Sequence, residues 1–332
     1  MNLRVAILCL VLFASLGSRP VIASDDEALQ LGRQYTQQFF DKEIAPVWAN
    51  MTEQMQVGLT SEVALRQFSD QVGTNIGQEV EVIGERIDLV QGFRVYTRSS
   101  RFDKFDGLIN VVWTLDDSDM IAGFFVRPQQ VAAKSPYLDY QTKSQLQLPF
   151  NDEWFVYWGG RTVTDNYHAA TADQRFAYDI LIVKDGKSYS GDGQSKEQYY
   201  CWGEPVLAPG RGTIMTVIES LPDNEPGVMD AANPPGNHVI IDLGNDEFAL
   251  LAHLQEDSVL VEPGDEVSAG DTLGLCGNSG NTSEPHIHFH IQDKPGFGNG
   301  NGKPAFFENY LSNGIPVDRG EPVRGESVRN AK

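Results

Sequence analysis

Apolar positions recur at helical spacing over residues 26 to 45, from Ala28, Leu29 and Leu31 through Phe39 and Phe40 to Ile44, and again over 60 to 72. Thr60-Ser61-Glu62 has the composition of a helix start. After Gly77 the period changes to two. Val80 to Ile83, Gly92 to Thr97, Asp106 to Trp113 and Ile121 to Val126 read as successive strands. Two helices followed by a meander of strands predict an α+β domain over residues 24 to 128, with Trp48 and Trp113 in its core. Residues 129 to 148 have little periodicity, contain Pro136 and five Gln, and are flanked by Pro128 and Pro149, the pattern of a linker. Beyond them come short β-type runs broken by Gly, Pro and Asn: 206 to 208, 212 to 218, 238 to 243, 248 to 254 and 272 to 276. No long helical pattern interrupts them, so residues 149 to 312 predict an all-β, mainly antiparallel, sandwich-like domain. The polar stretch 313 to 332 reads as a loose tail.

The helix-then-meander pattern of the first domain resembles the cone-shaped helper domains of the nuclear-transport-factor-like kind. The first 23 residues read as a secretory signal peptide, with Arg4 ahead of an apolar run from Val5 to Leu16 and small residues before Ser24. An uncleaved membrane anchor is the other reading of that run. A secreted or periplasmic destination follows from the first reading, with no stable membrane insertion once the peptide is removed. Cys201 and Cys276 then remain in an oxidising compartment, where an even count favours a disulfide over two buried free thiols. The formal net charge of −21 excludes nucleic acid and anionic membrane surfaces as natural partners, because both require a basic footprint. The oligomeric state has no signature in the sequence.

All six histidines, His168, His238, His253, His286, His288 and His290, lie in the second half of the chain. In Pro285-His286-Ile287-His288-Phe289-His290 the imidazoles fall two apart. On a strand they share one face at about 6.6 Å spacing, while Ile287 and Phe289 face a core. Catalytic zinc takes three protein ligands and keeps one position open. His288 can supply one, His168 a second, and Asp179, set in the apolar run Phe176 to Val183, a third. A carboxylate in such a run is costly unless it is paired or bound to a cation. Arg175 is the alternative partner for it.

These residues stand in an ordered series: Gly203-Glu204-Pro205-Val206-Leu207-Ala208-Pro209, Ala252-His253-Leu254, Pro263-Gly264-Asp265-Glu266-Val267, Gly277-Asn278-Ser279-Gly280 and Pro285-His286-Ile287-His288-Phe289. From about residue 158 to 293 the chain resembles the lysostaphin/LytM-type zinc endopeptidases. The resemblance implies Zn2+ on His168, Asp179 and His288, with His253 and His286 as catalytic residues beside the reacting water. It further implies hydrolysis of peptide bonds in peptidoglycan crosslinks or stem peptides. Two departures stand out. Residues 169 to 178 separate His168 from Asp179, where the family commonly has three residues, and His290 occupies a position where an acidic or amide residue is usual. His290 therefore reads as a supporting or rim residue, and His238 as structural. By general acid-base chemistry His286 is the candidate base, with His253 stabilising an oxyanion or sharing proton transfer; the two roles could be exchanged. A general secreted zinc protease, a catalytically silent wall-binding regulator and a lipoyl- or biotinyl-like carrier are the competing readings. The carrier lacks the modifiable lysine in its turn.

Overall fold

A computed structural model describes residues 25–90 and 92–331, so the expected signal peptide lies outside the described residues. The chain forms two compact units, one up to Gln129 and one from Gln130 onward.

In the first unit four helices, Asp25–Phe40, Ile44–Ala49, Glu53–Leu59 and Glu62–Ile76, precede a four-stranded antiparallel sheet. Its strands, Glu79–Val90, Phe93–Phe102, Phe105–Leu115 and Ile121–Pro128, pair in chain order. Ser61 accepts a hydrogen bond from the Ala64 N–H and so starts the last helix where the sequence places it. The short helix Glu53–Leu59, capped by Thr52, is too brief for its periodicity to show in the sequence. Trp113 is wholly buried, stacks on Phe124 at 3.8 Å and donates its indole N–H to Thr36 Oγ1 at 2.9 Å. Gly32 lets the first helix come down on that sheet, since a Cβ there would lie 2.2 Å from the Tyr96 ring.

The second unit is built on an antiparallel sheet whose central strands carry the candidate chemistry. Asn237–Asp242, Phe248–Leu254, Ile287–Gln292, Tyr178–Leu181 and Trp154–Trp158 lie side by side in that order. A second, two-stranded sheet pairs Thr272–Leu275 with Pro205–Leu207. One face of the central strands, with Val239, Ile241, Leu251, Ile180, Ile287, Phe289 and Ile291, is buried in the main core. That burial is what fixes the register: a slip of one residue would put the histidines of 286 to 290 into the core and Ile287 and Phe289 outside it. Among the described residues of this unit the helices are two 3-10 turns, Tyr167–Ala170 and Lys196–Gln198.

Besides the four helices found where two were expected in the first unit, three sequence expectations differ from the structure. The stretch read as a linker is anchored at its C-terminal end: Leu146 and Leu148 are buried in the main core, and the Glu247 carboxylate accepts hydrogen bonds from Tyr140 Oη, Lys143 N and Ser144 N. The polar tail is not loose. Ile315–Gly320 and Ser327–Asn330 both pair with Phe307–Ser312, and Val328 is fully buried. Both stretches are held by backbone pairing and isolated apolar anchors, which produce no periodic signal. Cys201 and Cys276 are buried free thiols rather than a disulfide. The Cys201 S–H donates to Pro285 O at 2.9 Å, so the sulfur is satisfied in the core without a bridge.

Candidate metal centre

Asp179 is the hub. Its strand neighbour across the ladder is His288, and His288 is flanked on its other side by Ala252. The register therefore brings the Asp179 and His288 side chains to one face, 2.9 Å apart between Oδ1 and Nδ1. His168 reaches the same carboxylate oxygen from the 3-10 turn, with Nε2 at 3.6 Å, and His286 Nε2 lies 3.4 Å from it. The candidate ligand atoms of His168, Asp179 and His288 all lie within 4.8 Å of one another, and all three residues are buried.

Asn166 closes the gap that residues 169 to 178 open between His168 and Asp179. Fully buried, it donates to Gly160 O and to Ala177 O, and its Oδ1 accepts from both His168 N and His168 Nδ1. One amide thus staples the two ends of the loop and fixes the imidazole. It is also the N-cap of the 3-10 turn.

His253 arrives by a different device. The pairing of Phe248–Leu254 with Asn237–Asp242 breaks between Leu251 and Leu254, and His253 adopts a φ of 61°. Its N–H bonds to Pro235 O instead of continuing the ladder. A residue of this type in the left-handed region costs about 1–2 kcal/mol, and the bulge re-aims its side chain toward the site. Ser279 O accepts from Nδ1 at 2.8 Å and holds the ring 4.8 Å from that of His286. Gly236 allows this close approach, because a Cβ there would sit 2.3 Å from Ser279 O.

The hydrogen bonds assign the tautomers. His168, His253 and His286 each direct Nδ1 to an oxygen acceptor, on Asn166, Ser279 and Glu284 respectively, so each donates from Nδ1 and turns Nε2 inward. His288 is reversed. Its Nε2 is engaged with His290 at 2.9 Å, leaving Nδ1 toward Asp179. Lone pairs of the neutral His168 and His288 rings therefore face a carboxylate oxygen, an arrangement that is repulsive until a cation lies among them, while His286 can relieve it only by carrying a proton on Nε2. Arg175 does not serve, since its Nε donates to Ala133 O and its guanidinium lies over Phe176. Two imidazole nitrogens and one carboxylate oxygen, buried and convergent, fit a zinc ion in donor type and number.

Electrostatics follow from this geometry. Burial alone would raise the Asp179 carboxyl, but His168 and His286 outweigh it and hold it well below the usual range. Burial pushes His168 down to about 3 and His253 well below the ordinary imidazole value, so both are neutral. Burial also opposes protonation of His286, yet Asp179 prevails and raises it to about 9. A raised histidine stabilises the fold fully below its unfolded value, near 6.5, and that contribution is lost as pH rises through about 9. Metal-free protein should accordingly lose roughly 3 kcal/mol of stability between those limits. Urea unfolding across that range should show the slope, and His286→Gln should flatten it; a slope that survives the substitution would contradict the assignment.

Of the sequence candidates, His168, Asp179, His253, His286 and His288 come together. His290 stands behind His288, and His238, with Nδ1 on Gly236 O, is buried at the start of its own strand. Tyr167 was not singled out by its sequence. The residue is 46% exposed; its ring lies 3.9 Å from that of His168, and desolvation of the hydroxyl together with the nearby Asp179 keeps that group protonated.

Comparison with known proteins bears on the same region. Residues 199–304 match Peptidase family M23, a span that includes His253, His286 and His288 but begins after His168 and Asp179. The chain is 33% identical over 90 residues to the peptidoglycan DD-endopeptidase ShyA of Vibrio cholerae serotype O1, covering 27% of this chain and 17% of that protein. It is 40% identical over 67 residues to endolysin 2638A of Staphylococcus phage 2638A, covering 20% of this chain and 14% of the endolysin. The chain thus spans less than a fifth of the length of these relatives. Among solved structures, the catalytic domain of the antimicrobial peptidase lysostaphin from Staphylococcus simulans aligns at 20% identity, over 46% of this chain and 88% of that one, with a TM-score of 0.28.

Proposed function

From the premise that residues 199–304 are a Peptidase family M23 domain, we propose that this protein is a zinc metalloendopeptidase that hydrolyses peptide bonds in peptidoglycan stem or crosslink peptides. The observation that carries the reading is the convergence of His168 Nε2, His286 Nε2 and His288 Nδ1 on one buried Asp179 oxygen. His168, Asp179 and His288 would hold the ion. When bound, zinc supplies a Lewis acid that polarises the scissile carbonyl and acidifies water near neutral pH.

The protein's own groups do the proton work. His286 Nε2 is the stronger base of the pair, because Asp179 favours its protonated form while burial and His286 itself disfavour protonation of His253. With the Asp179 charge shared with a bound cation, His286 would be neutral at rest, and it takes the proton of the attacking water and returns it to the leaving amine. With Nδ1 committed to Ser279 O, His253 presents only a lone pair at rest, which suits orienting that water rather than donating to an oxyanion. The Tyr167 hydroxyl is the protonated donor at the edge of the site. The substrate class rests on the wall-directed relatives, and a secreted or periplasmic location on residues 1 to 23. No helix among the described residues is long and apolar enough to cross a membrane.

Purified protein incubated with peptidoglycan and with soluble crosslinked muropeptides should release new amines, detected by mass spectrometry. A chelator should abolish release and added zinc restore it. Cleavage that survives chelation removes zinc from the reaction; binding to the wall without cleavage points to a regulator; cleavage of casein but not of wall peptides points to a general protease.

A further inference from the structure

His288, His290 and Gln292 occupy alternate positions on one face of the strand Ile287–Gln292, and all three are buried. Traced from Lys294, their hydrogen bonds run in one direction. Gln292 Nε2 lies 2.7 Å from Lys294 O, and a carbonyl oxygen can only accept, so the amide orientation is set. Gln292 Oε1 then faces His290 Nε2 at 3.0 Å, which places the His290 proton on Nε2. The neutral His290 ring consequently has a bare Nδ1, and this atom lies 2.9 Å from His288 Nε2. That contact needs a proton on His288 Nε2. In a neutral His288 ring Nδ1 then carries no proton, 2.9 Å from Asp179 Oδ1, an approach of two acceptors that a cation would reconcile. Each link follows from the one before it, and the chain ends on a backbone carbonyl that cannot titrate.

We infer that His290 and Gln292 are positioning residues that fix His288 in the Nε2–H tautomer and so make Nδ1 the atom it offers to a cation. His288 is thereby set opposite to His168, His253 and His286, which all turn Nε2 inward. The opposite tautomer suits its place: His288 is held in the middle of the sheet between Ala252 and Asp179, and its outer nitrogen points along the strand to His290 rather than into the cleft. Because every link beyond His288 is neutral, the relay orients the ring without adding a second negative charge beside Asp179. The apolar residues Ile240, Leu250 and Ala252, with Phe297 packed against them, form a separate cluster, and the Phe297 ring lies 6.4 Å from that of His290. Ligand-orienting groups of this kind typically change metal affinity by about 10-fold to 100-fold when removed.

The inference rests on the metal reading above, and its test separates the two. The full chain, labelled with 15N-histidine, is examined by long-range 1H–15N NMR without metal at pH 9.5 and with one equivalent of zinc at pH 7.5. Zinc affinity is measured by competition with a chromophoric chelator. Gln292→Met removes the acceptor at similar volume, and Gln292→Glu restores one. Wild-type protein should carry the proton on Nε2 of both His288 and His290. Gln292→Met should mix the tautomers and weaken zinc binding by about 10-fold to 100-fold, and Gln292→Glu should recover most of the affinity. Either ring found with its proton on Nδ1 in the wild type overturns the relay, and so does a folded Gln292→Met protein with unchanged tautomers and affinity. Failure of wild-type protein to bind zinc counts against the metal centre itself; the metal-free spectra then still decide the relay. Should Gln292→Met not fold, the wild-type spectra and Gln292→Glu decide it alone.

Discussion

Asp179→Asn is expected to abolish stoichiometric zinc binding and to lower kcat/KM for wall peptides by about 10⁴-fold, a loss of roughly 5–6 kcal/mol of transition-state stabilisation. The amide has the shape of the carboxylate but not its charge, and its two N–H donors can satisfy the ring nitrogens of His168 and His288 that now face Asp179. The substitution therefore removes the demand for a cation without opening a cavity. It also removes the cause of the raised His286 value, so the pH-dependent stability of the metal-free protein should disappear in the same variant. Zinc per chain by elemental analysis, amine release and unfolding at two pH values read all three effects. Full zinc occupancy in the Asp179→Asn variant would place the metal elsewhere.

His286→Gln should lower kcat by about 10²-fold to 10⁴-fold while leaving zinc bound and KM nearly unchanged, since His286 moves a proton and is not needed to hold the ion. His253→Gln should cost less, because its ring orients rather than accepts. These two variants also divide roles that the sequence left interchangeable. A His253 variant more damaging than the His286 variant, with zinc retained in both, would reverse the assignment of the base.

Some of this centre was legible in the chain and some was not, for identifiable reasons. His286 and His288 could be placed on one face because a strand has a side-chain period of two. Asp179 stood out as a carboxylate in an apolar run, where an unpaired charge is too costly to keep. His168 was visible as a residue type, but its approach depends on Asn166 bonding across to Ala177, a contact between loop ends that periodicity does not encode. Simple alternation along Phe248–Leu254 would not have aimed His253 as observed; the bulge and its positive φ do that. The tautomers of His288 and His290 required the whole chain of acceptors out to Lys294 O. At the fold level the strands with strong apolar runs were found. Leu146, Leu148 and Val328, single anchors within polar stretches, were read as linker and tail.

Anomalous diffraction at the zinc edge, from crystals of the full chain grown with one equivalent of zinc, tests the centre most directly. The account predicts one strong peak within bonding distance of His168 Nε2, an Asp179 carboxylate oxygen and His288 Nδ1, with no fourth protein ligand. A peak away from these atoms, or a fourth protein ligand closing the site, would contradict it.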